Sequence, residues 1–270
     1  MKLRLWNLVA HAAVGTGVTG MIPPPGNAVL MYHSIGGPYG NPNGTLPSRR
    51  LHADLSRLEA RYDIVDLPEV LDSGHEPRLA VTFDDGYADI VTKALPVLEA
   101  LDVPATVFVI ADLVGEGRSD PREYGLEATR EQMLSADQMW TLIDHDLITI
   151  GNHTRTHPSL PDVDHECLVS EIVGGRDALR DRYGIDTEQF CYPGGKHDER
   201  SRRIVARTHS LGVGVDRGFI EPPVAEGHRT TLPRFNAARP APVVYWETSG
   251  LGAAARSAYR KLAGAPTVQR

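Results

Sequence analysis

Short apolar runs alternate with stretches of helical spacing along most of the chain. Ala28 to His33, Arg78 to Phe83, Ala105 to Ile110, Leu147 to Gly151 and Gln189 to Tyr192 are runs of four to six mostly apolar residues, and they predict strands, that of Ala105 to Ile110 a buried one. Gly212 to Asp216 and Thr230 to Phe235 predict two more. Between them, Leu51 to Tyr62 places Leu51, Leu55 and Leu58 on one helical face, and Ile90 to Leu101, Ser135 to Asp144, Asp164 to Tyr183 and Asp198 to Thr208 carry helical patterns. Ser135 has the side chain of an N-cap. Seven strands with interleaved helices predict an α/β fold, either a parallel barrel or a doubly wound sheet, built as a single domain.

Ile22-Pro-Pro-Pro-Gly-Asn27 is a stiff break, so the pattern divides into an N-terminal extension over 1–27, a folded domain over 28–246 and an Ala-, Gly- and Arg-rich tail over 247–270. The N-terminal segment sets Lys2 and Arg4 before a modestly apolar stretch that His11 and several Gly and Thr interrupt. It makes a poor secretory signal and is expected to be a surface helix packed on the domain, which leaves the location of the protein open. No run of eighteen uncharged apolar residues occurs, so no spanning helix is expected. The polar segments 36–47 and 114–131 read as insertions rimming a groove.

Composition narrows the function. Lys plus Arg number 28 against 35 Asp plus Glu, a net charge of −7, which disfavours nucleic acid or a broadly anionic membrane as partner. At 41% hydrophobic and 23% charged the chain has the composition of a globular domain able to fold unaided. Its two cysteines, Cys167 and Cys191, are too few for a disulfide framework or a Cys-based zinc site and read as packing residues. Among the 11 histidines, His11, His52, His75, His145, His165 and His209 fall on expected surfaces, and His197 follows a strand end closely enough to rim a groove. Trp140, at core spacing with Met133 and Ile143, reads as packing, although Trp140 and Trp246 are the two tryptophans that could stack on a sugar.

Functional side chains of parallel α/β folds collect where strands end. The predicted strand ends here carry Thr82-Phe83-Asp84-Asp85-Gly86, Gly151-Asn152-His153-Thr154-Arg155-Thr156-His157, Cys191-Tyr192-Pro193-Gly194-Gly195, and His33. One Asp with two His is a ligand set that leaves open positions on a metal, as hydrolytic sites require. His153 and His157, four apart, can aim at one ion from a tight loop. Two adjacent Asp side chains would point apart in an extended segment, but a strand end turning into Gly86 lets both reach a pocket, one as ligand and one as base.

Thr82-Phe83-Asp84-Asp85-Gly86-Tyr87 resembles the first motif of the polysaccharide deacetylase family, carbohydrate esterase family four, and His153-Thr154-Arg155-Thr156-His157 resembles its second. Pro104 to Val109, Phe190 to Gly195, Tyr32-His33-Ser34-Ile35 and Leu232-Pro233-Arg234-Phe235 are further similarities, so the resemblance spans residues 28 to about 236. It implies an irregular (β/α)7 barrel that removes acetyl groups from an acetylated glycan. In that family Asp84 would be the general base, and Asp85, His153 and His157 would hold a divalent metal, usually Zn2+, with Co2+, Ni2+ or Fe2+ as alternatives. Tyr192, Pro193 and Gly194 would lie where substrate and oxyanion are held.

Two departures stand out: Cys191 occupies the position of an Arg that orients the base in most members, and Gly194 that of a Tyr. The chain resembles in this a circularly permuted subgroup acting on exopolysaccharide, in which His33 would be the acid and Arg234 the partner of the base. Removal of N-acetyl groups from an N-acetylglucosamine-type polymer is the function so implied; an O-acetyl esterase and an inactive carbohydrate-binding barrel are the alternatives. Neither the polymer nor the oligomeric state is legible in the sequence.

Overall fold

The structure is a computed structural model, and it describes residues 2–36, 45–115 and 132–262. Most of the two segments expected to rim a groove, 36–47 and 114–131, lies outside the described residues. The strands are β1 (Ala28–Tyr32), β2 (Asp63–Ile64), β3 (Arg78–Phe83), β4 (Ala105–Val109), β5 (Ile148–Asn152), β6 (Gln189–Cys191), β7 (Leu211–Val213) and β8 (Phe235–Asn236). The helices are α1 (Lys2–Gly15), α2 (Ser48–Leu58), α3 (Leu95–Leu101), α4 (Ala136–Ile143), α5 (His165–Tyr183), α6 (Glu199–Thr208), α7 (Ala241–Glu247) and α8 (Gly250–Leu262). Ser135 caps α4 in a reciprocal capping box with Gln138, and Asp164 caps α5, because each side chain accepts an otherwise orphaned N–H of the first turn.

All strand pairs are parallel, in the order β7-β6-β5-β4-β3-β1-β8, with the short β2 added at the start of β3. The seven strands of that path curl into the distorted barrel that the family resemblance implies, and not into the doubly wound sheet that the strand pattern left open. Every residue of β1 and β4 is buried, which explains their unbroken apolar runs. Alternate residues serve two cores. Ala28, Leu30, Tyr32, Leu79, Val81, Phe83, Val107 and Ile150 face the helices, while Val29, Ala80, Phe108, Cys191, Val213 and Leu232 fill the barrel interior.

The last strand departs from expectation. Thr230 to Phe235 does not form one strand; β8 covers only Phe235–Asn236. The segment divides its hydrogen bonds between two partners, Leu232 exchanging with Gly212 and Gly214 at 2.9 Å each and Ala237 donating to Met31 at 3.0 Å. It therefore joins the two edges of the sheet, and Arg234 sits between the two pairings. Three surface expectations also change. His209 is buried, wedged between Asn152 and Phe190, whereas Trp140 stands half-exposed and touches Tyr183 edge-on; Trp246 is buried, so it offers no face to a sugar.

Candidate active site

The inward parity of each strand decides what reaches the barrel mouth. Continuing the interior series past the strand ends gives His33 after Val29 and Met31, Asp84 after Ala80 and Thr82, and His153 after Thr149 and Gly151, beside Cys191. Gly151 leaves room for the Phe108 ring, which a Cβ there would meet at 2.4 Å. Asp85 would point the other way in an extended chain, but it turns through a left-handed φ of 75°, followed by Gly86 at 81°. That reversal swings the Asp85 carboxylate back over the mouth, and a Cβ on Gly86 would stand 2.8 Å from Val114.

The loop carrying both histidines has two more left-handed residues, Thr154 at 67° and His157 at 69°. Such backbone costs on the order of 1–3 kcal/mol per residue and needs surroundings that hold it. Asn152 supplies part: its Oδ1 accepts the Thr154 N–H at 3.0 Å and its Nδ2 donates to Ile172 of α5 at 2.8 Å. Glu171, on the same helix, supplies more. One carboxylate oxygen accepts the Arg155 and Thr156 N–H groups at 3.1 and 2.8 Å, and the other accepts the Thr156 hydroxyl at 2.7 Å. The helix comes this close because Gly175 has no side chain; a Cβ there would lie 2.8 Å from the Thr154 carbonyl carbon.

Asp85 Oδ1 lies 3.5 Å from His153 Nε2 and 3.7 Å from His157 Nε2. These distances are longer than hydrogen bonds. They match the spacing of about 3.3–3.4 Å expected between donors held tetrahedrally at ~2.0–2.1 Å from one ion. His153 Nδ1 donates to the Cys191 carbonyl at 2.8 Å, which leaves the Nε2 lone pair facing Asp85. Burial, with His153 alongside, pushes the His157 pKa down to about 4, so that imidazole is neutral. Burial alone would raise the Asp85 pKa, but the neighbouring His153, His33 and His157 outweigh it and hold the carboxyl well below its usual range. An anionic oxygen and two imidazole nitrogens facing one point fit a divalent metal.

Asp84 is held differently. Arg234 donates to both of its oxygens at 2.7 Å, and also to Thr82 Oγ1 at 3.0 Å and the Gly214 carbonyl at 2.7 Å. The same guanidinium reaches Cys191 Sγ at 3.1 Å, so the Cys191 thiol, itself 3.5 Å from Asp84, touches that carboxylate rather than only filling the core. Burial would raise the Asp84 pKa, and the charge and hydrogen bonds of Arg234 bring it below the ordinary value. His33, only 6% exposed, completes the group: its Nδ1 is buried without a hydrogen-bond partner, and Asp84 and Asp85 both lie within its electrostatic reach.

The third motif divides. Tyr192 is drawn into the core, its ring edge-on to Phe190 at 5.0 Å and its N–H given to the Val213 carbonyl at 3.2 Å, so it offers the cleft neither ring nor amide. Pro193 is buried and has no N–H. Gly194 remains exposed, at a φ of 56° with open space where a Cβ would point. His197 lies against the Tyr192 ring, 4.9 Å between centroids. Glu171 escaped sequence reasoning, although a signal existed: it interrupts the buried stripe Leu168, Ile172, Gly175, Leu179 of α5, where a carboxylate needs a partner.

Residues 72–212, 141 of the 270, match the model of the Polysaccharide deacetylase family. The chain belongs to that family. YxkH of Bacillus subtilis (strain 168), which bears the family's name, is 26% identical over 198 residues, covering 70% of this chain and 64% of YxkH. The chain therefore spans less than two thirds of that relative's length. Among solved structures, IcaB from Ammonifex degensii superposes with a TM-score of 0.68 at 21% identity, over 84% of this chain and 99% of IcaB. The Streptococcus pyogenes deacetylase PplD, solved with acetate, gives 0.65 at 23% identity, over 78% of this chain and 92% of PplD. At these identities the likeness is one of fold.

Proposed function

We propose that this polysaccharide deacetylase family member is a metal-dependent hydrolase that removes N-acetyl groups from an N-acetylglucosamine-type glycan, of the permuted subgroup acting on exopolysaccharide. The observation that carries this reading is the pairing of two differently held carboxylates: Asp85 in a triangle with His153 and His157, and Asp84 in the grip of Arg234. Adjacent groups of one kind are thereby given different tasks. Asp85, His153 and His157 would hold a divalent ion, with Zn2+ suiting the mixed N and O donors, and the bound ion would supply Lewis acidity to the acetyl carbonyl and to water.

The chain's own residues supply the proton transfers. Asp84 Oδ2 accepts from both Arg234 and the Cys191 thiol, whereas Oδ1 spends one lone pair on Arg234 and keeps another, so Oδ1 can take a proton from the water that adds to the carbonyl carbon. The C–N bond then breaks, and His33 gives the departing nitrogen its proton, leaving acetate and a free amine on the sugar. The arrival of the arginine from position 234, with Cys191 in the usual place, supports membership of the permuted subgroup.

The test is product analysis on a panel of N- and O-acetylated glycans with the zinc-supplied protein. Free amine with stoichiometric acetate is expected. Free hydroxyl instead would make it an O-acetyl esterase, and no release from any glycan by metal-replete protein would make it a carbohydrate-binding barrel.

A further inference from the structure

The His33 ring stands at the barrel mouth, yet among the described residues no hydrogen bond holds it, and its Nδ1 is buried without a partner. Its direction is therefore set by the backbone that carries it. A reacting group misplaced by about 1 Å can cost about a hundredfold in rate, so whatever fixes residues 33–36 also aims the imidazole. That backbone is held from two sides. On one, the Leu46 N–H donates to the Ser34 carbonyl at 3.1 Å and the Leu46 carbonyl accepts the Gly36 N–H at 2.7 Å. On the other, Asp89 Oδ2 accepts the Ser34 hydroxyl, and the Ile35 N–H bonds to the same carboxylate. Ser34 is only 1% exposed, so without Asp89 its hydroxyl would have no water to turn to.

Asp89 is itself firmly placed. It ends the segment that begins with Asp84 and Asp85, and that segment is pinned where Leu134 donates to the Gly86 carbonyl at 2.9 Å and Ala88 to the Gln132 carbonyl at 2.8 Å. Directly after Asp89 comes a π turn, Ile90–Ala94, whose end is marked by the Leu95 N–H reaching back five residues to the Ile90 carbonyl. Such turns recur at functional sites. The stretch 84–89 therefore carries the base, one of the metal-facing carboxylates and the carboxylate bonded to the His33 loop.

We propose that Asp89, through Ser34 and Ile35, is the positioning residue of the general acid, tying the loop of His33 to the turn that bears Asp84. This rests on the reading of His33 as the acid. Water gives up its proton at Asp84 and the amine receives one from His33, so the reaction needs the two groups at a fixed separation. The bonds to Asp89 set that separation across the mouth, beyond the strands that deliver each group. Asp89 touches no reacting atom. Burial pushes its pKa above the ordinary value, against the hydrogen bonds from Ser34 and Ile35, and its Oδ1 is buried without a partner. A neutral acceptor of the same shape can therefore take its place.

Ser34→Ala and Asp89→Ala test this on a chitooligosaccharide and on p-nitrophenyl acetate, with His33→Ala beside them. Both should lose amide turnover about ten- to a hundredfold while keeping most ester turnover, the amide KM and the metal content; a general loss of packing would lower both substrates alike. Asp89→Asn keeps one accepting oxygen and sets its NH2 where Oδ1 has no bond, so it should recover most of the loss. A crystal structure of Ser34→Ala should show the His33 ring displaced by about 1 Å. An amide-to-ester ratio equal to that of the unaltered protein in Ser34→Ala and Asp89→Ala, or His33 in place in that structure, overturns the proposal, and a selective loss in His33→Ala would then leave the acid reading standing. Equal losses on both substrates in His33→Ala overturn both. Asp89→Asn as impaired as Asp89→Ala also overturns the proposal, because the charge of Asp89 rather than its hydrogen bonds would be what matters. Should Asp89→Ala fail to fold, Ser34→Ala, which removes a single hydroxyl, carries the comparison.

Discussion

Arg234 and Asp84, 150 residues apart in sequence, form a bidentate pair at 2.7 Å for each bond, with both side chains almost wholly buried. A buried ion pair is most costly when half of it is removed, because the remaining charge has neither partner nor water. Arg234→Met should therefore lower the unfolding free energy by about 3–5 kcal/mol, read from urea denaturation. Adding Asp84→Asn to that variant should recover most of the loss. Independent, additive losses would mean that the two side chains do not form the pair.

Asp84→Asn alone keeps the shape and leaves Arg234 one acceptor oxygen, but removes the basic carboxylate. Turnover should fall about a hundredfold or more. Metal content, measured on the same preparation, should equal that of the unaltered protein, since Asp85, His153 and His157 form their triangle without Asp84.

Glu171 touches no group that reacts; it is a positioning residue. Its carboxylate receives three hydrogen bonds from the loop whose left-handed residues aim His153 and His157. Glu171→Gln puts an NH2 group where one of those donors points. Residues that orient metal ligands typically change affinity 10–100-fold, and zinc affinity by chelator competition should drop by that order. Unchanged affinity would show that Asn152 and the Gly175 contact hold the loop without it.

The contrast between Asp84 and Glu171 shows how far the sequence could be read. β1, β3, β4 and β5 are buried on both faces, so their runs are continuous and their ends mark the site. Asp84, Asp85, His153 and His157 follow those ends and were legible. The left-handed turn at Asp85 was not, because Asp is compatible with many conformations and the reversal is enforced by what packs around Gly86. β8 was misplaced since its segment serves two strands in succession, an arrangement without a local pattern. His209 looked like a surface residue at a helix end; tertiary contacts with Asn152 and Phe190 made it an interior one.

That interior histidine sets a pH dependence. Burial, aided by the Arg176 charge, lowers the His209 pKa from its ordinary 6.5 to about 3. The neutral ring accepts from Asn152 Nδ2 at 3.1 Å through Nε2 and donates to Thr208 Oγ1 at 2.9 Å through Nδ1. Above pH 6.5 folded and unfolded chains both carry it neutral and it contributes no pH dependence. Between 6.5 and about 3 the unfolded chain takes up a proton that the folded one refuses, so stability falls with falling pH by about 1.4 kcal/mol per unit from this group. His209→Gln should make the acid limb shallower by that slope, measured by urea unfolding between pH 6.5 and 4.5. Parallel limbs for the two proteins would mean that His209 titrates normally.

His33 is the group whose role a pair of substrates can isolate. It continues the inward series of β1, its Nδ1 is buried without a partner, and the Asp84 and Asp85 carboxylates lie within its electrostatic reach. An imidazole satisfied by the core would have its nitrogens bonded, as His209 has, whereas the buried Nδ1 of His33 has no hydrogen-bond partner. An amide must have its leaving nitrogen protonated as the C–N bond breaks, and imidazole is the side chain best suited to deliver that proton near neutral pH. An activated aryl ester expels a stable phenolate and needs no such proton. His33→Ala should therefore lose amide turnover about a hundredfold or more, keep most of its activity on the ester, and bind metal as the unaltered protein does. Equal losses on the two substrates would assign His33 to packing beneath the site, and loss of metal together with both activities would assign it to holding the ligands in place.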